Sequence, residues 1–531
     1  MKKLFRFCLF IFFLTFIVSC QSRQIETRGG FDANTELSSD GKVKTVALFA
    51  INDLHGSVEE EIDGKNPGIA KLYQALVELR QAYPASLFVS AGDNYQGSAL
   101  SNLTQGKIVS DFFALAGLDA SAVGNHEFDW TDERFADWQK DGGFPFIAAN
   151  IIDKRTGDIP SWAEPYVMYR VGGRLIALIG LSTPNTPNST KAEFVENYVF
   201  TDPAEAALKY TRQLQATYKP DAIIALTHIG SFTNRLNTNQ AVSIVDTEGL
   251  EKLSKVKGLD AIISGHSHML VSAKSAGVPV VQAMNYGRGI SKVVISFNSD
   301  GSKRVSVGVE EIYKNKNDIP EHPQAMSIVQ QYNNELGGEL GERLAVVEGD
   351  LNHETDIQNV TPMGYWVCEM LRTHFDADVA VMNGGGLRKG FLPGPVSVKD
   401  MWELMPFDNT AVLVELKGLD LKQVIDHGID SNGFRPGQFA GLTVNYKPQA
   451  PRGQRIVSMF LADGTEVQDN GVYTMVTNDF LFDGGDLYTM VKPAAVSSEN
   501  TYVPIRELLI EDTRKAGSII AEPFTGLLYA P

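Results

Sequence analysis

The sequence predicts an α/β protein built from two domains. Short apolar runs alternate with longer helical patterns from residue 43 to about residue 309, which is the signature of an α/β domain. A polar, proline-bearing stretch, KNKNDIPEHPQ at residues 314–324, interrupts that alternation and marks a boundary. Beyond residue 341 the pattern is mixed again. At 531 residues the chain is too long for one core.

Each element follows from its residues. KTVALFAI, ASLFVSA, DASAVG, RLIALIGL, DAIIAL, DAIIS and VPVVQA are continuous apolar runs of strand length. IAKLYQALVELRQAY places apolar residues at helical spacing between two of them. After the boundary, AMSIVQQYNNEL carries Ile328, Tyr332 and Leu336 four apart, which predicts a connecting helix. MGYWVCEMLRTHF predicts another helix, with Cys368 packed in the core.

The N-terminus is a separate segment. Lys2, Lys3 and Arg6 precede an apolar run from Phe7 to Val18, too short to span a bilayer as a mature helix. Ile17-Val18-Ser19-Cys20 resembles a bacterial lipoprotein signal, in which the cysteine is lipidated and becomes the first mature residue. Residues 1–20 are therefore expected to be a lipoprotein signal peptide, and residues 21–42 a flexible tether. The expected location is the cell envelope, lipid-anchored and facing the periplasm or the exterior. Cys8 lies in the signal and Cys20 would carry lipid, so no disulfide is expected.

The net charge of −17 argues against a nucleic-acid polymer as partner. An anionic substrate would have to be held by local arginines or metals.

Several predicted strands run directly into polar residues. The ends carry Asp53 and His55, Asp93, Asn125 and His126, His228, and His266 and His268. Five of the nine histidines in the chain sit in these places. Ligands of open α/β sheets bind beyond the carboxyl ends of the strands. Imidazoles with hard oxygen donors and no thiolate suit zinc, manganese or iron. Seven ligands are too many for one tetrahedral ion and suit two ions sharing a bridge. Asp53 and His55, two apart in a strand-end turn, can point to the same side, as can His266 and His268. RLIALIGL runs only into Ser182 and Thr183, so a strand end here need not bear a ligand.

The set NDLHG, AGDNYQGS, GNHEFD, Thr-His and SGHSH resembles the calcineurin-like metallophosphoesterases, in their 5′-nucleotidase branch. That branch includes bacterial UDP-sugar hydrolases and 2′,3′-cyclic nucleotide phosphodiesterases. The resemblance implies a four-layer α/β sandwich over residues 43–318, a linker helix over 319–340 and a smaller α/β substrate-binding domain over 341–531. It implies two divalent ions, zinc, manganese or similar. Asp53, His55, Asp93 and His268 would hold one, and Asp93, Asn125, His228 and His266 the other. Hydroxide held on them would attack a nucleotide phosphate in line. His126 would face the scissile phosphate, as successive residues of an extended segment face opposite ways. Asp129 would hold the His126 ring, and Glu127 would be an outer hydrogen-bonder.

In the second domain, Asn383 and Arg388 of NGGGLR match the branch's substrate segment. Phe480 matches a base-stacking position and Asp486 lies near it. The partner aromatic is expected at Phe434 or Phe439, and Phe407 is expected to be structural. An arginine usual in the branch is missing from HETDIQNVTPMG. The expected activity is that of a 5′-nucleotidase. A cyclic-nucleotide phosphodiesterase or UDP-sugar hydrolase is the alternative, and a thiosulfate-ester hydrolase a remoter one. A non-catalytic metal-binding surface lipoprotein is disfavoured by His126 and Asp129, which metal storage alone does not need.

The lipobox reading makes a direct prediction. Cys20→Ala should leave unlipidated, unprocessed precursor, read by mass spectrometry and detergent partitioning. Processed wild-type protein that stays soluble without detergent would refute it.

Overall fold

A computed structural model describes residues 25–28, 36–38, 41–61, 64–234, 236–243, 248–353, 360–429 and 435–529. The lipobox with Cys20, most of the tether and Phe434 lie outside these residues.

The N-terminal domain holds two sheets packed face to face. The strands Lys303–Glu310, Ile290–Phe297, Thr45–Ile51, Ser86–Ser90, Ala120–Ala122, Phe146–Ile147 and Ala163–Glu164 form one, in that order. The second has nine strands, with Arg174–Ser182, Ala222–His228 and Ala261–Ile263 parallel near its centre. Strand alternation builds the layers. Val46, Leu48 and Ala50 point inward against Ile176, Leu178, Ile224 and Leu226 of the facing sheet. Ala47, Phe49 and Ile51 point outward against the helices Gly68–Ala82 and Lys107–Ala116. Helix Pro203–Thr217 covers the other outer face through Ala207, Tyr210 and Leu214. The result is helix, sheet, sheet, helix. It brings the carboxyl ends of five parallel strands to one edge of the sandwich.

Helix Pro323–Leu340 connects the domains. It starts on Pro323, whose missing N–H costs nothing in a first turn. Its buried residues are Ala325, Val329, Tyr332 and Leu340. Ile328 and Leu336 are only partly buried, so the stripe is rotated from the expected one. The reason is tertiary: Tyr332 donates to Asp111 Oδ2 at 2.7 Å and Asn333 to Glu59 Oε1 at 2.9 Å, so the N-terminal domain sets which face is covered.

The C-terminal domain is built on a five-stranded sheet in the order Gly437–Ala440, Val379–Asn383, Val472–Asn478, Thr410–Lys417, Ser497–Pro504. Val379–Asn383 and Val472–Asn478 are parallel, and their neighbours Gly437–Ala440 and Thr410–Lys417 run against them. Loops leaving the first pair therefore lie beside loops entering the second pair. Cys368 is a buried free thiol on helix Pro362–His374. Among the described residues no helix is long and apolar enough to cross a membrane.

Candidate metal centre and substrate cleft

The strand ends converge as two ligand groups. Asp53, His55 and His268 form one, and Asp93, His228 and His266 the other, with the ligand atoms of each group within 4.8 Å of one another. His55 Nε2 lies 3.1 Å from His268 Nε2, which in turn lies 3.2 Å from Asp53 Oδ1. Asp93 Oδ2 is 3.1 Å from His228 Nε2 and 3.9 Å from His55 Nε2, so it stands between the groups. Asn125 Nδ2 donates to the Ser189 carbonyl at 2.9 Å, turning Oδ1 the other way.

This donor set fits a pair of divalent cations. Asn125 Oδ1 and His228 Nε2 are buried without a hydrogen-bond partner, a cost a native site tolerates when something else satisfies them. The rings are also aimed. His55 Nδ1 faces the Gln96 carbonyl at 3.0 Å and His228 Nδ1 the Ala91 carbonyl at 2.8 Å, which leaves Nε2 of each toward the site. His266 Nε2 is 3.4 Å from the buried Glu248 carboxylate. Outer partners of this kind set the tautomer of metal-binding imidazoles.

The backbone reaching these positions turns at each strand end, as expected for Asp53-x-His55 and His266-x-His268. Asp53, His55, Asp93, His266 and His268 all have positive φ, between 47° and 76°. Non-glycine residues rarely adopt it, at ~1–2 kcal/mol each. Each strand end turns at once, and the turn rather than the pleat aims the side chain. At Asn125 and His126 the extended segment expected from the sequence is replaced by a helical turn. Asn125 is at φ −75°, ψ −32°, and His126–Phe128 is a single helical turn. His126 and Asp129 meet because residues three apart share a face of that turn. His126 Nδ1 and Asp129 Oδ2 are 2.7 Å apart. Burial opposes charge on this ring, but Asp129 and Asp93 outweigh it and hold its pKa above the ordinary imidazole value.

Glu127 binds the strand ends together. Its carboxylate accepts from the backbone N–H of Asp93 at 2.9 Å, Asn94 at 2.7 Å and Gly124 at 2.6 Å. Gly124 must be glycine, because a Cβ there would lie 2.1 Å from Asp93 Oδ1.

The metal groups floor a cleft of about 860 Å³ whose far wall is the C-terminal domain. Arg388 follows the three-glycine turn and places Nη2 3.3 Å from His55 Nε2. Asn383 is buried. Its Nδ2 donates to Asp486 Oδ2 at 2.9 Å and its Oδ1 accepts from Asn478 at 3.0 Å. Burial pushes the Asp486 carboxyl up to about 6. Phe480 lines the cleft with its ring against Gly485.

One of the two places expected for the partner aromatic is removed here, and one expectation is overturned. Phe439 is 1 % exposed and packs among the core residues of its domain, so it offers no face to a ligand. Phe407, expected to be structural, lines the cleft, with its ring 5.4 Å from that of His126. Thr410–Lys417 runs antiparallel to Val472–Asn478, with Ala411 opposite Asn478. The residues before Thr410 therefore lie beside those after Asn478. Arg435 and His353 also line the cleft and were not anticipated. Arg435 reaches it because Gly437 pairs with Asn383 across an antiparallel ladder. No pattern in the sequence marks His353, whose Nε2 is held 2.9 Å from the Gly384 carbonyl.

A layered sandwich with two candidate metal-ligand groups and an adjacent His–Asp pair is the arrangement of a metal-dependent phosphoesterase. Residues 47–270 match the calcineurin-like phosphoesterase family and residues 343–493 the 5′-nucleotidase C-terminal domain. In that order, the two matches place this chain among the two-domain 5′-nucleotidase-type phosphoesterases. It is 26% identical over 531 residues to Protein UshA of Escherichia coli (strain K12), covering 91% of this chain and 94% of that one. It is 28% identical over 495 residues to Endonuclease YhcR of Bacillus subtilis (strain 168), covering 86% of this chain and 39% of that one. The chain thus spans about two-fifths of the length of that Bacillus relative. Among solved structures, a 5′-nucleotidase precursor from Thermus thermophilus superposes with a TM-score of 0.78 at 25% identity, over 92% of this chain and 100% of that one.

Glu127→Ala would strip the acceptor from three buried backbone N–H groups. Each unsatisfied donor costs ~1–3 kcal/mol, so unfolding in denaturant should show a loss of about 3 kcal/mol or more. A loss below about 1 kcal/mol would show that the strand ends hold without it.

Proposed function

We propose that this chain is a two-metal phosphoric ester hydrolase that releases phosphate from nucleoside 5′-monophosphates. The observation that carries this reading is the facing of two ligand groups and a His–Asp pair, across one cleft, by Arg388 and two aromatic rings. Asp53, His55, Asp93 and His268 would hold one divalent ion, and Asp93, Asn125, His228 and His266 the other. The nitrogen and oxygen donors favour zinc or manganese. When bound, such ions polarise a phosphoryl oxygen and activate water.

The remaining work falls to side chains. Asp129 accepts the Nδ1 proton of His126, which leaves Nε2 to face the cleft. From there His126 donates to the leaving oxygen as its bond to phosphorus breaks. The planar fork of Arg388 suits the non-bridging phosphate oxygens. Phe407 and Phe480 supply faces for a nucleobase, with Asp486 beside them. Stacking of this kind tolerates any base, so weak base discrimination is expected. The similarity to UshA and to 5′-nucleotidases supports this substrate class. Lipid attachment at Cys20, in the cell envelope, rests on the sequence of residues 1–20.

The test is a panel of nucleoside monophosphates, 2′,3′-cyclic nucleotides and UDP-glucose, assayed with zinc or manganese. Monophosphates should give the highest kcat/KM. Preference for either other class would replace the substrate reading but keep the chemistry. Elemental analysis should find about two divalent ions per chain, with both disturbed by Asp93→Ala. Full metal content and activity in that variant would reject the shared carboxylate. His126→Ala should keep the metals and lower kcat ~10²–10⁴-fold, most on esters with poor leaving groups. Equal turnover on such an ester would remove the acid role.

A further inference from the structure

The strand Arg174–Ser182 ends without an imidazole or a carboxylate, yet its loop reaches Asn125, Asp129 and the C-terminal domain. Ser182 Oγ donates to the Val123 carbonyl at 2.6 Å, at the strand end that bears Asn125. The loop over residues 183–191 is braced from within. Thr186 Oγ1 donates to the Thr183 carbonyl at 2.8 Å, Asn188 Nδ2 to Asn185 Oδ1 at 3.1 Å, and Ser189 Oγ to the Asn185 carbonyl at 3.2 Å. Pro184 and Pro187 fix φ on either side of Thr186.

From that brace three consecutive residues reach three partners. The Ser189 carbonyl accepts from Asn125 Nδ2. Thr190 is buried and donates from Oγ1 to Asp129 Oδ1 at 2.9 Å, while the other oxygen of Asp129 meets His126. Lys191 crosses to the C-terminal domain. Its Nζ is 2.9 Å from Asp479 Oδ2 and donates to the Asp408 carbonyl at 3.0 Å. Asp479 and Asp408 are the chain neighbours of Phe480 and Phe407. The turn Thr186–Asn188 also packs on the turn Gly485–Leu487 that carries Asp486.

We propose that residues 183–191 are a coupling loop, through which seating of the C-terminal domain on Lys191 sets the orientation of the His126–Asp129 pair by way of Thr190. Thr190 is a positioning residue: it fixes the carboxylate that fixes the ring. A carboxylate with one oxygen released can rotate, and the ring it holds follows. Because 189, 190 and 191 are adjacent, a shift at Lys191 is carried to Thr190 by the backbone itself. The catalytic consequence rests on the hydrolase reading above, since it takes His126 as the proton donor.

The test uses the full chain and two esters, an alkyl phosphate with a poor leaving group and 4-nitrophenyl phosphate with a good one. Thr190→Val keeps shape and removes the hydroxyl; Thr190→Ser restores it. Thr190→Val should lower the ratio of alkyl to nitrophenyl kcat ~10-fold or more, with wild-type metal content, and Thr190→Ser should recover it. Lys191→Met and Asp479→Asn should lower the same ratio, and the paired swap Lys191→Asp with Asp479→Lys should recover part of it. An unchanged ratio in Thr190→Val, or equal loss on both esters with loss of metal, overturns the coupling. So does a swap no better than its single variants. Amide hydrogen exchange over residues 125–129 needs no turnover: Lys191→Met should speed it, and unchanged exchange overturns the proposal. If the wild type hydrolyses neither ester and none of the nucleotides above while that exchange responds, the hydrolase reading fails and the coupling stands.

Discussion

One buried carboxylate holds this site in shape. Glu127 gathers the backbone N–H groups of two neighbouring strand ends. Those ends present Asp93 and Asn125, one from each. Burial and Asp93 push the Glu127 carboxyl up to about 7, the N–H bonds pull it back, and those bonds are shielded from water, where each is worth more than at a surface. They give the left-handed turn at Asp93 something to be held against. A ligand in a costly backbone conformation persists only where its surroundings leave it no alternative. Five of the six residues in the two candidate ligand groups stand in such turns.

Much of this was legible in the sequence, for a physical reason. A buried parallel strand is a continuous apolar run, and a run that stops abruptly at Asp, Asn or His announces both the strand end and its chemistry. The ligand residues needed no knowledge of backbone angles. How they are aimed did: the positive φ values come from long-range contacts such as the Asp93 N–H on Glu127, and at His126 the extended-segment reasoning failed. Phe407 and Phe439 exchanged roles for a similar reason. Phe407 follows Met405-Pro406 and Phe439 follows Gly437-Gln438, and only the antiparallel register decides which lies in a loop at the cleft and which in a ladder. The loop after Ser182 was passed over because its contacts are made by a carbonyl, a hydroxyl and a lysine, types too common to stand out.

The charge distribution joins these pieces. The chain carries −17 overall, yet Lys65, Lys191, Arg288, Arg388 and Arg435 line the cleft. A cleft with low-dielectric walls focuses such local charge. A small anion is therefore met at the cleft by local cations that the overall charge of the chain does not supply.

The loops facing the metal cluster all hang from one edge of the five-stranded sheet in the C-terminal domain. Arg388, Phe407, Arg435 and Phe480 come from four separate connections. Loops of this kind accept changes in length and composition that strands do not. The catalytic apparatus, by contrast, is locked into strand ends of another domain. A chain of this build can change what it holds by editing surface connections while the strand-end cluster stays as it is. The architecture thus separates what may drift from what may not, and makes the second domain the place where new specificities would be recruited.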